Sequence, residues 1–188
     1  MTVYVALLRG VNVGGKNMVK MADIKSLFEE IGLSSVRTYI QSGNVLFKSD
    51  RKPEILRSVL EHEFESAFGF SVVVILRTSV ELKQIIRDCP FSAQDIAEAA
   101  IASEAESLYV ALMPNSPLKE NVERLNPYMS KSDQVQIDEQ NVYLLLHHGI
   151  RNSKLATNLH KLDVPMTVRN WKTVTKLSEL ANAMENGK

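Results

Sequence analysis

The chain has 188 residues, of which 45% are hydrophobic and 23% are charged, and its 22 basic side chains balance 22 acidic ones. This composition is typical of a globular protein and excludes wholesale disorder, and the length allows one domain or two small halves. No run of eighteen apolar residues is present to span a membrane, and the N-terminal segment lacks the pattern of a signal peptide.

The N-terminal part of the chain predicts four strands and two helices in the order βαββαβ. Apolar runs of about six residues indicate buried strands, and apolar residues at helical spacing indicate the helices. This order is that of the ferredoxin-like fold, in which two helices cover a four-stranded antiparallel sheet. The predicted elements are a strand at Val3–Leu8, a helix carrying Ile24, Leu27, Phe28 and Ile31 and ended by Gly32, two hairpin strands at Val36–Gln41 and Asn44–Lys48, a helix from Pro53 to Gly69, and a strand at Val72–Arg77.

A helical segment is predicted to follow the fourth strand. Thr78 and Glu81 have the spacing of a capping box, and Pro90 prevents the helix that they start from continuing. An alanine-rich acidic stretch then runs to about Glu106 and predicts a connecting helix.

The same element pattern then starts again. Tyr109-Val110-Ala111-Leu112 repeats Tyr4-Val5-Ala6-Leu7 letter for letter, at the same place in the element order. Such a match favours an internal duplication. We therefore predict an α+β protein with two ferredoxin-like βαββαβ halves, residues 1–78 and 107–188, joined by a helical connector at 79–106 and ended by a C-terminal helix. The predicted elements of the second half are a helix carrying Leu118, Val122 and Leu125, strands at Val135–Ile137 and Val142–Leu146, a short helix near 153–161, a strand at Met166–Arg169, and the last helix carrying Val174, Leu177, Leu180, Ala181 and Met184.

The zero net charge conceals an uneven distribution. Residues 1–48 have six basic and three acidic side chains, residues 147–188 have seven and three, and the middle has nine and sixteen. This separation predicts a positive face shared by the two ends, and solvated helices with uneven charge are an equal alternative.

The segment from Gly10 to Lys16 has the G-x-x-x-x-G-K spacing of a phosphate-binding loop. Asn17 stands where a magnesium-binding hydroxyl is needed, and the next helix is predicted to begin near Met21 rather than at the lysine. No apolar strand ends in an aspartate that would hold magnesium, so a nucleoside triphosphatase is excluded. A looser anion-binding nest and a plain tight turn both remain open.

Other nucleic-acid and metal motifs are weak. The third strand carries one aromatic residue, Phe47, where RNA-recognition modules have an alternating pair. His147 and His148 are adjacent and would point to opposite faces of a strand, so they predict no shared metal. Cys89 is the only cysteine and cannot form an internal disulfide, which predicts a reducing, cytoplasmic location.

Polar residues are concentrated near both ends of the chain. Arginine provides a planar fork for phosphate or carboxylate, while asparagine and serine add neutral hydrogen bonds. Ser153 is also expected to cap the short helix, and packing is the favoured role of Trp171. The predicted ligand-binding residues are Arg9, Asn12, Gly14, Gly15, Lys16, Asn17, Arg37, Ser42, Asn44, Ser153, Lys154, Arg169, Asn170 and Trp171.

The stretches ALLRGVNVGGKNMVKM, VRTYIQSGNVLF and TVRNWKTVTKL resemble the characteristic segments of the bacterial family of unknown function numbered 1697 (DUF1697). The family has an Arg-Ser-Lys run after a glycine, whereas this chain reads Gly149-Ile150-Arg151-Asn152-Ser153-Lys154, so Ser153 and Lys154 match better than Arg151. The resemblance implies a cytoplasmic α+β protein with two similar halves, and it implies no particular reaction.

Three functions fit these residues. The first is binding of a phosphorylated ligand, a nucleotide or a nucleic-acid backbone, in a basic cleft between the two halves, with no membrane partner. The second is a structural or interaction protein in which the polar residues form an interface between the halves. The third is an enzyme that acts on a phosphorylated small molecule, with Ser153 as nucleophile or donor beside Lys154.

Overall fold

The computed structural model describes residues 1–102 and 104–187, and it divides into two compact units. Unit 1 comprises residues 1–84 together with 175–187, and unit 2 comprises residues 85–174. This division differs from the predicted boundaries at 78 and 106. The C-terminal segment lies in unit 1 because Glu185 accepts hydrogen bonds from the Ser79 hydroxyl and from the Lys83 ammonium group.

Unit 1 contains a four-stranded antiparallel sheet with the strand order β2-β3-β1-β4. Helix α1 follows the first strand and helix α2 joins the third strand to the fourth, so the element order is the predicted βαββαβ. The bounds are β1 (Thr2–Arg9), α1 (Met21–Glu30), β2 (Ser34–Tyr39), β3 (Asn44–Ser49), α2 (Pro53–Phe68) and β4 (Val73–Thr78).

The core of unit 1 lies between this sheet and the two helices. Alternate residues of β1 face the helices because side chains alternate between the faces of a strand, and they pack with one apolar stripe from each helix. The Phe28 ring of α1 meets the Phe47 ring of β3 edge to face, with ring centroids 5.6 Å apart. The buried members from β1, α1 and α2 are Tyr4, Ala6, Leu8, Ile24, Leu27, Phe28, Leu56, Leu60 and Phe64.

Unit 2 contains a second four-stranded antiparallel sheet, with the strand order β6-β7-β5-β8. Its helical segments are shorter, and three of them are single 3₁₀ turns at Asn126–Tyr128, Ile150–Asn152 and Leu159–Leu162. Helix α3 (Ser79–Arg87) precedes unit 2 and helix α7 (Trp171–Glu185) follows its last strand. The other bounds are α4 (Ala93–Ile101), β5 (Leu108–Leu112), α5 (Lys119–Glu123), β6 (Asp133–Asp138), β7 (Asn141–Leu146), α6 (Lys154–Thr157) and β8 (Thr167–Asn170).

The two sheets have matching strand order and matching register. The repeated letters Tyr-Val-Ala-Leu lie on the central strands β1 and β5. Each copy pairs with the equivalent strands of its own sheet. The residue that follows each copy donates its N–H to the turn between the second and third strands: Leu8 to Gly43 O at 2.8 Å, and Met113 to Gln140 O at 2.9 Å. The corresponding pairs are Tyr4 with Thr78 and Tyr109 with Asn170, Val5 with Arg77 and Val110 with Arg169, and Leu7 with Asn44 and Leu112 with Asn141. Separate antiparallel sheets and helices confirm the α+β class.

Several local predictions are confirmed, and two of the predicted helices are shorter than expected. The Thr78 and Glu81 side chains form the predicted capping contacts, with Glu81 Oε2 accepting from the Thr78 hydroxyl at 2.7 Å. The connecting helix was expected to reach about Glu106, but α4 ends at Ile101. The helix predicted to carry Leu118, Val122 and Leu125 is only five residues long, and after it the chain tightens into the 3₁₀ turn at Asn126–Tyr128.

Within the described ranges, no helix combines the length and apolar character needed to cross a membrane. The same residues contain no group of three or more histidine, cysteine, aspartate or glutamate side chains arranged to hold a metal ion.

Candidate functional site

The glycine-rich segment after β1 forms a small β-hairpin. Asn12 N–H donates to Asn17 O at 3.1 Å, and Lys16 N–H donates to Val13 O at 3.2 Å. The two central residues, Gly14 and Gly15, have φ values of 62° and 73°. Positive φ at both central positions defines a type I′ turn, which glycine adopts without steric cost. Helix α1 begins only at Met21, as predicted, so its N-terminus does not follow the lysine as a phosphate-binding loop requires.

Asn12 joins this hairpin to the neighbouring β2–β3 turn. Its Nδ2 donates to Val19 O and to Gln41 O, both at 2.9 Å, and its Oδ1 accepts from Val19 N–H at 2.8 Å. The residue has a φ of 56°, which asparagine tolerates better than other residues with a Cβ atom. The Asn12 amide is therefore used in holding the loops together.

Asn44 and Ser42 organise the β2–β3 turn. Asn44 is fully buried, and its Nδ2 donates to Tyr39 O at 3.1 Å and to Ser42 Oγ at 3.0 Å. Gly43 between them has a φ of 70°, and a Cβ atom there would lie 3.0 Å from Leu8 Cβ. Glycine is thus required at this turn by both backbone conformation and space.

Four polar residues of the predicted ligand-binding set are exposed in unit 1, three of them at the end of β1 or in the loop after it. Asn17 has a φ of 51° and donates from Nδ2 to Gly10 O at 3.4 Å. The side chains of Arg9 and Lys16 are exposed and make no hydrogen bond or ion pair with the described residues, and neither does the side chain of Lys20 just before α1. Arg37 is exposed on the edge strand β2.

Arg9 also lines an open surface depression of about 370 Å³. The other lining residues are Gly10, Ser71, Val72 and Val73, which come from the end of β1 and the start of β4. Arg9 and Val73 are the last pair of that ladder, which fixes the arginine at the edge of the depression. An unpaired guanidinium beside an exposed serine hydroxyl is chemically suited to a phosphate or carboxylate group.

In unit 2, Ser153 is the predicted helix cap. Its Oγ accepts from Ala156 N–H at 3.0 Å at the start of α6, and it donates to Asp133 Oδ2 at 2.6 Å. The residue is buried, whereas Lys154 beside it is exposed. Asp133 was missed by sequence reasoning because it lies 20 residues away on β6, with no local spacing to indicate the contact.

The Arg169-Asn170-Trp171 segment forms the junction between β8 and α7. Arg169 Nη1 donates to Thr167 Oγ1 at 2.6 Å and to Val168 O at 3.0 Å, and burial lowers the pKa of Arg169 to about 10. Asn170 Oδ1 accepts from Thr173 N–H at 2.9 Å and so caps α7. Trp171 packs, as predicted, in a small apolar cluster. That cluster contains Cys89, Phe91, Ile96, Ala99, Leu108, Leu145 and Trp171.

A buried arginine of unit 1, Arg77, occupies the register position that the half-buried Arg169 occupies in unit 2. Arg77 Nη1 donates to Leu76 O at 2.9 Å, just as Arg169 bonds to the carbonyl before it. Burial lowers the pKa of Arg77. Sequence reasoning missed Arg77, although aligning the two Tyr-Val-Ala-Leu repeats and their partner strands would have indicated it.

The structure thus brings most unit 1 candidates together in one loop cluster around Asn12, near Arg9, and leaves Arg37 apart from it on β2. In unit 2, Ser153 and Lys154 lie at the start of α6, and Arg169, Asn170 and Trp171 lie at the start of α7. The ligand-binding roles of all these residues stay predictions.

Comparisons with known proteins agree with the fold. No curated protein matches the chain. A solved structure of a conserved bacterial protein from Streptococcus pneumoniae is similar to it, with a TM-score of 0.74 and 24% sequence identity over 96% of this chain and 98% of the other. The family model for proteins of unknown function numbered 1697 matches residues 1–143, which include the characteristic segments ALLRGVNVGGKNMVKM and VRTYIQSGNVLF. This match covers most of the chain, and the chain therefore belongs to the DUF1697 family.

Proposed function

We propose that the protein binds a phosphorylated ligand, and that Arg9 is its principal anchor. The observation that carries this proposal is the Arg9 guanidinium, which lacks any partner among the described residues and lines a depression of about 370 Å³. Small-molecule sites have volumes of roughly 300–1,000 Å³, so the depression has room for a phosphate and part of the group attached to it.

The surroundings of Arg9 support an anionic rather than a cationic ligand. Ser71, from the segment before β4, lines the same depression and provides a neutral donor. Lys16 and Lys20 add positive charge in the neighbouring loop, and neither charge is neutralised by an ion pair within the described residues. In such a site the arginine fork orients the phosphate and the lysines raise its local concentration.

The other predicted ligand residues fall into two groups. Asn12, Asn17, Ser42 and Asn44 make hydrogen bonds that shape the loops, and the glycines form the turn, so these residues support the site indirectly. Arg37 is retained as a predicted contributor within unit 1, and the candidate residues of unit 2 carry no part of this proposal.

Binding is favoured over catalysis by the environment of Ser153. Its hydroxyl caps α6 and donates to the Asp133 carboxylate, so the group proposed as a nucleophile already has a structural role. A phosphate arriving there would be repelled by Asp133. No histidine contact to Ser153 is present in the described part of the chain that would supply a general base.

We also infer that the two units arose from one ferredoxin-like βαββαβ unit by duplication. The matching strand order, the matching register of the Tyr-Val-Ala-Leu repeats and the paired positions of Arg77 and Arg169 support this inference. We further propose a cytoplasmic location, which the single, half-buried Cys89 supports.

Thermal unfolding in the presence of inorganic phosphate, nucleotides and sugar phosphates at low salt tests the binding proposal. A ligand at 100 times its Kd stabilises a protein by about 2.7 kcal/mol, which corresponds to a rise of roughly 5–10 °C in the Tm of a chain of this size. We expect Arg9→Ala to lose most of this rise and Arg9→Lys to retain part of it.

Lys52→Ala is the matched control, because Lys52 is an exposed cation of unit 1 just before α2, at the opposite end of the sheet from Arg9. It is expected to respond to the ligand as the unsubstituted protein does. A panel with no stabilising compound, or a ligand-induced rise that is as large in Arg9→Ala as in the unsubstituted protein, would refute the role of Arg9.

A further inference from the structure

The hairpin after β1 and the adjacent β2–β3 turn expose three large hydrophobic side chains. Val13, Met18 and Ile40 are 60%, 67% and 47% exposed. They are three of the nine large hydrophobic residues that are exposed in the part of the chain that the structure describes, and the Asn12 bonds join the two loops that carry them. Lys16 and Lys20 lie among them. We call these five residues the hairpin tip.

The hairpin tip is preformed. The type I′ turn and the three hydrogen bonds of the Asn12 amide fix the backbone on both sides of the exposed residues. A surface that is already ordered loses little conformational entropy when it binds a partner. An apolar projection with basic residues around it is therefore suited to an apolar hollow with an acidic rim.

Unit 2 carries a surface of that kind. An open depression of about 490 Å³ is lined by Leu118, Lys119, Glu120 and Glu123 at the start of α5. Leu118 is 63% exposed, and the two glutamates are exposed and have no ion-pair partner among the described residues. Lys119 is the single cation of the lining, so the net charge of this α5 depression is negative.

We propose that the hairpin tip of one copy of this chain docks into the α5 depression of a second copy. Val13 and Met18 contact Leu118 in this arrangement, and Lys16 and Lys20 face Glu120 and Glu123. Both surfaces have exposed apolar side chains, and their net charges are opposite in sign. Lys16 and Lys20 also supply charge near the proposed ligand site, whereas Arg9, the anchor of that site, belongs to neither docking surface. The inference therefore goes beyond the ligand binding proposed above, and Arg9 separates the two.

The two contacting surfaces are different, which makes the interface heterologous. Each copy keeps one unused tip and one unused depression, so association continues beyond a dimer as the protein concentration rises. The contact is small, and interfaces burying less than about 1,000 Å² are weak or transient. The association is therefore expected only in concentrated solution, and added salt is expected to weaken it.

Sedimentation velocity over a dilution series, combined with two charge reversals, tests the proposal. The tip variant carries K16E and K20E, and the depression variant carries E120K and E123K. The reversed side chains are exposed and have no partners among the described residues, so both variants are expected to fold, and far-UV circular dichroism checks this.

The unsubstituted protein is expected to show an average mass that rises above the 21.1 kDa of one chain with concentration. Each variant alone is expected to stay monomeric. In their mixture the normal tip of one variant faces the normal depression of the other, and the reversed acidic tip faces the reversed basic depression. Both contacts therefore join opposite charges, and the mixture is expected to regain the concentration-dependent association of the unsubstituted protein. Arg9→Ala is the control and is expected to associate like the unsubstituted protein.

Three outcomes would overturn the proposal. The first is an unsubstituted protein that stays monomeric at the highest concentration reached. The second is association that either charge reversal leaves unchanged, which would assign the contact to another face. The third is a mixture of the two variants that remains monomeric although each of the two is folded. A further pair of substitutions, V13S with M18S, is expected to abolish association by removing the apolar part of the contact.

Discussion

Replacing Asn12 by alanine is expected to detach the glycine-rich hairpin from the β2–β3 turn. The change removes three hydrogen bonds of 2.8–2.9 Å. At about 1 kcal/mol each they contribute about 3 kcal/mol, and water that reaches this half-exposed side chain reduces the loss to about 2 kcal/mol. Alanine at a φ of 56° adds about 1 kcal/mol of backbone strain. We therefore expect the free energy of unfolding to fall by about 3 kcal/mol.

Two further substitutions separate the hydrogen bonds from the strain. Asn12→Gly removes the bonds without the strain and is expected to cost about 2 kcal/mol. Asn17 is the matched control, since it also has a positive φ, of 51°, but its side chain makes a single hydrogen bond of 3.4 Å. Asn17→Ala is expected to cost about 1 kcal/mol and Asn17→Gly almost nothing.

Urea unfolding measures these free energies, and amide hydrogen exchange at Val19 measures the local effect. The Val19 N–H donates to Asn12 Oδ1, so its protection is expected to fall in both Asn12 variants and to persist in both Asn17 variants. The reasoning fails if Asn12→Ala is no more destabilising than Asn17→Ala and the Val19 amide remains protected.

Three other substitutions follow from the same structure. Gly43→Ala is expected to cost about 2–3 kcal/mol, because it combines a φ of 70° with a Cβ only 3.0 Å from Leu8 Cβ on the adjacent strand. Gly14→Ala, at a φ of 62° in open space, is expected to cost about 1 kcal/mol. Thermal unfolding of the two variants distinguishes backbone strain from crowding. Tyr143→Phe removes a buried 3.0 Å hydrogen bond to a main-chain carbonyl and is expected to cost about 1–2 kcal/mol in urea, so an unchanged midpoint would contradict the importance of that bond. The hydrogen bond from the Ser79 hydroxyl, followed by that from Lys83, lowers the pKa of the Glu185 carboxyl below its usual value. The ionised Glu185 therefore stabilises the fold fully above the unfolded pKa, and this stabilisation is lost as the pH falls through the lower folded pKa. Glu185→Gln is accordingly expected to lower the Tm at pH 7 and to leave it unchanged near pH 3; an equal loss at both pH values would point to packing instead.

The sequence was sufficient for elements that are determined by neighbouring residues. Pro53 starts α2, and Gly69 ends it with a φ of 75°, because ring geometry and the missing Cβ act at single positions. The Thr78 and Glu81 caps were predicted for the same reason, since the two side chains are only three residues apart. Short apolar runs likewise indicated the strands of the first sheet.

Contacts between distant residues could not be predicted in this way. The Asn12 amide bonds to Gln41 O, 29 residues along the chain, and only the folded loops show this bond to the main chain of a neighbouring turn. The bond between Ser153 and Asp133 and the burial of Arg77 have the same character. Composition and spacing identified the polar residues of the candidate site, but which of them retain an unused donor depends on tertiary structure.

The assignment of the last helix to unit 1 has a consequence for biosynthesis. Residues 1–84 emerge from the ribosome first, yet the strand-and-helix body that they form gains residues 175–187 only after all of unit 2 has been translated. Ser79 meets Glu185 across 106 residues of chain, so this contact closes a large loop late. A nascent chain therefore passes through a stage in which all of unit 2 has been made but unit 1 still lacks its C-terminal segment. Unit 1 cannot be completed before unit 2 during translation.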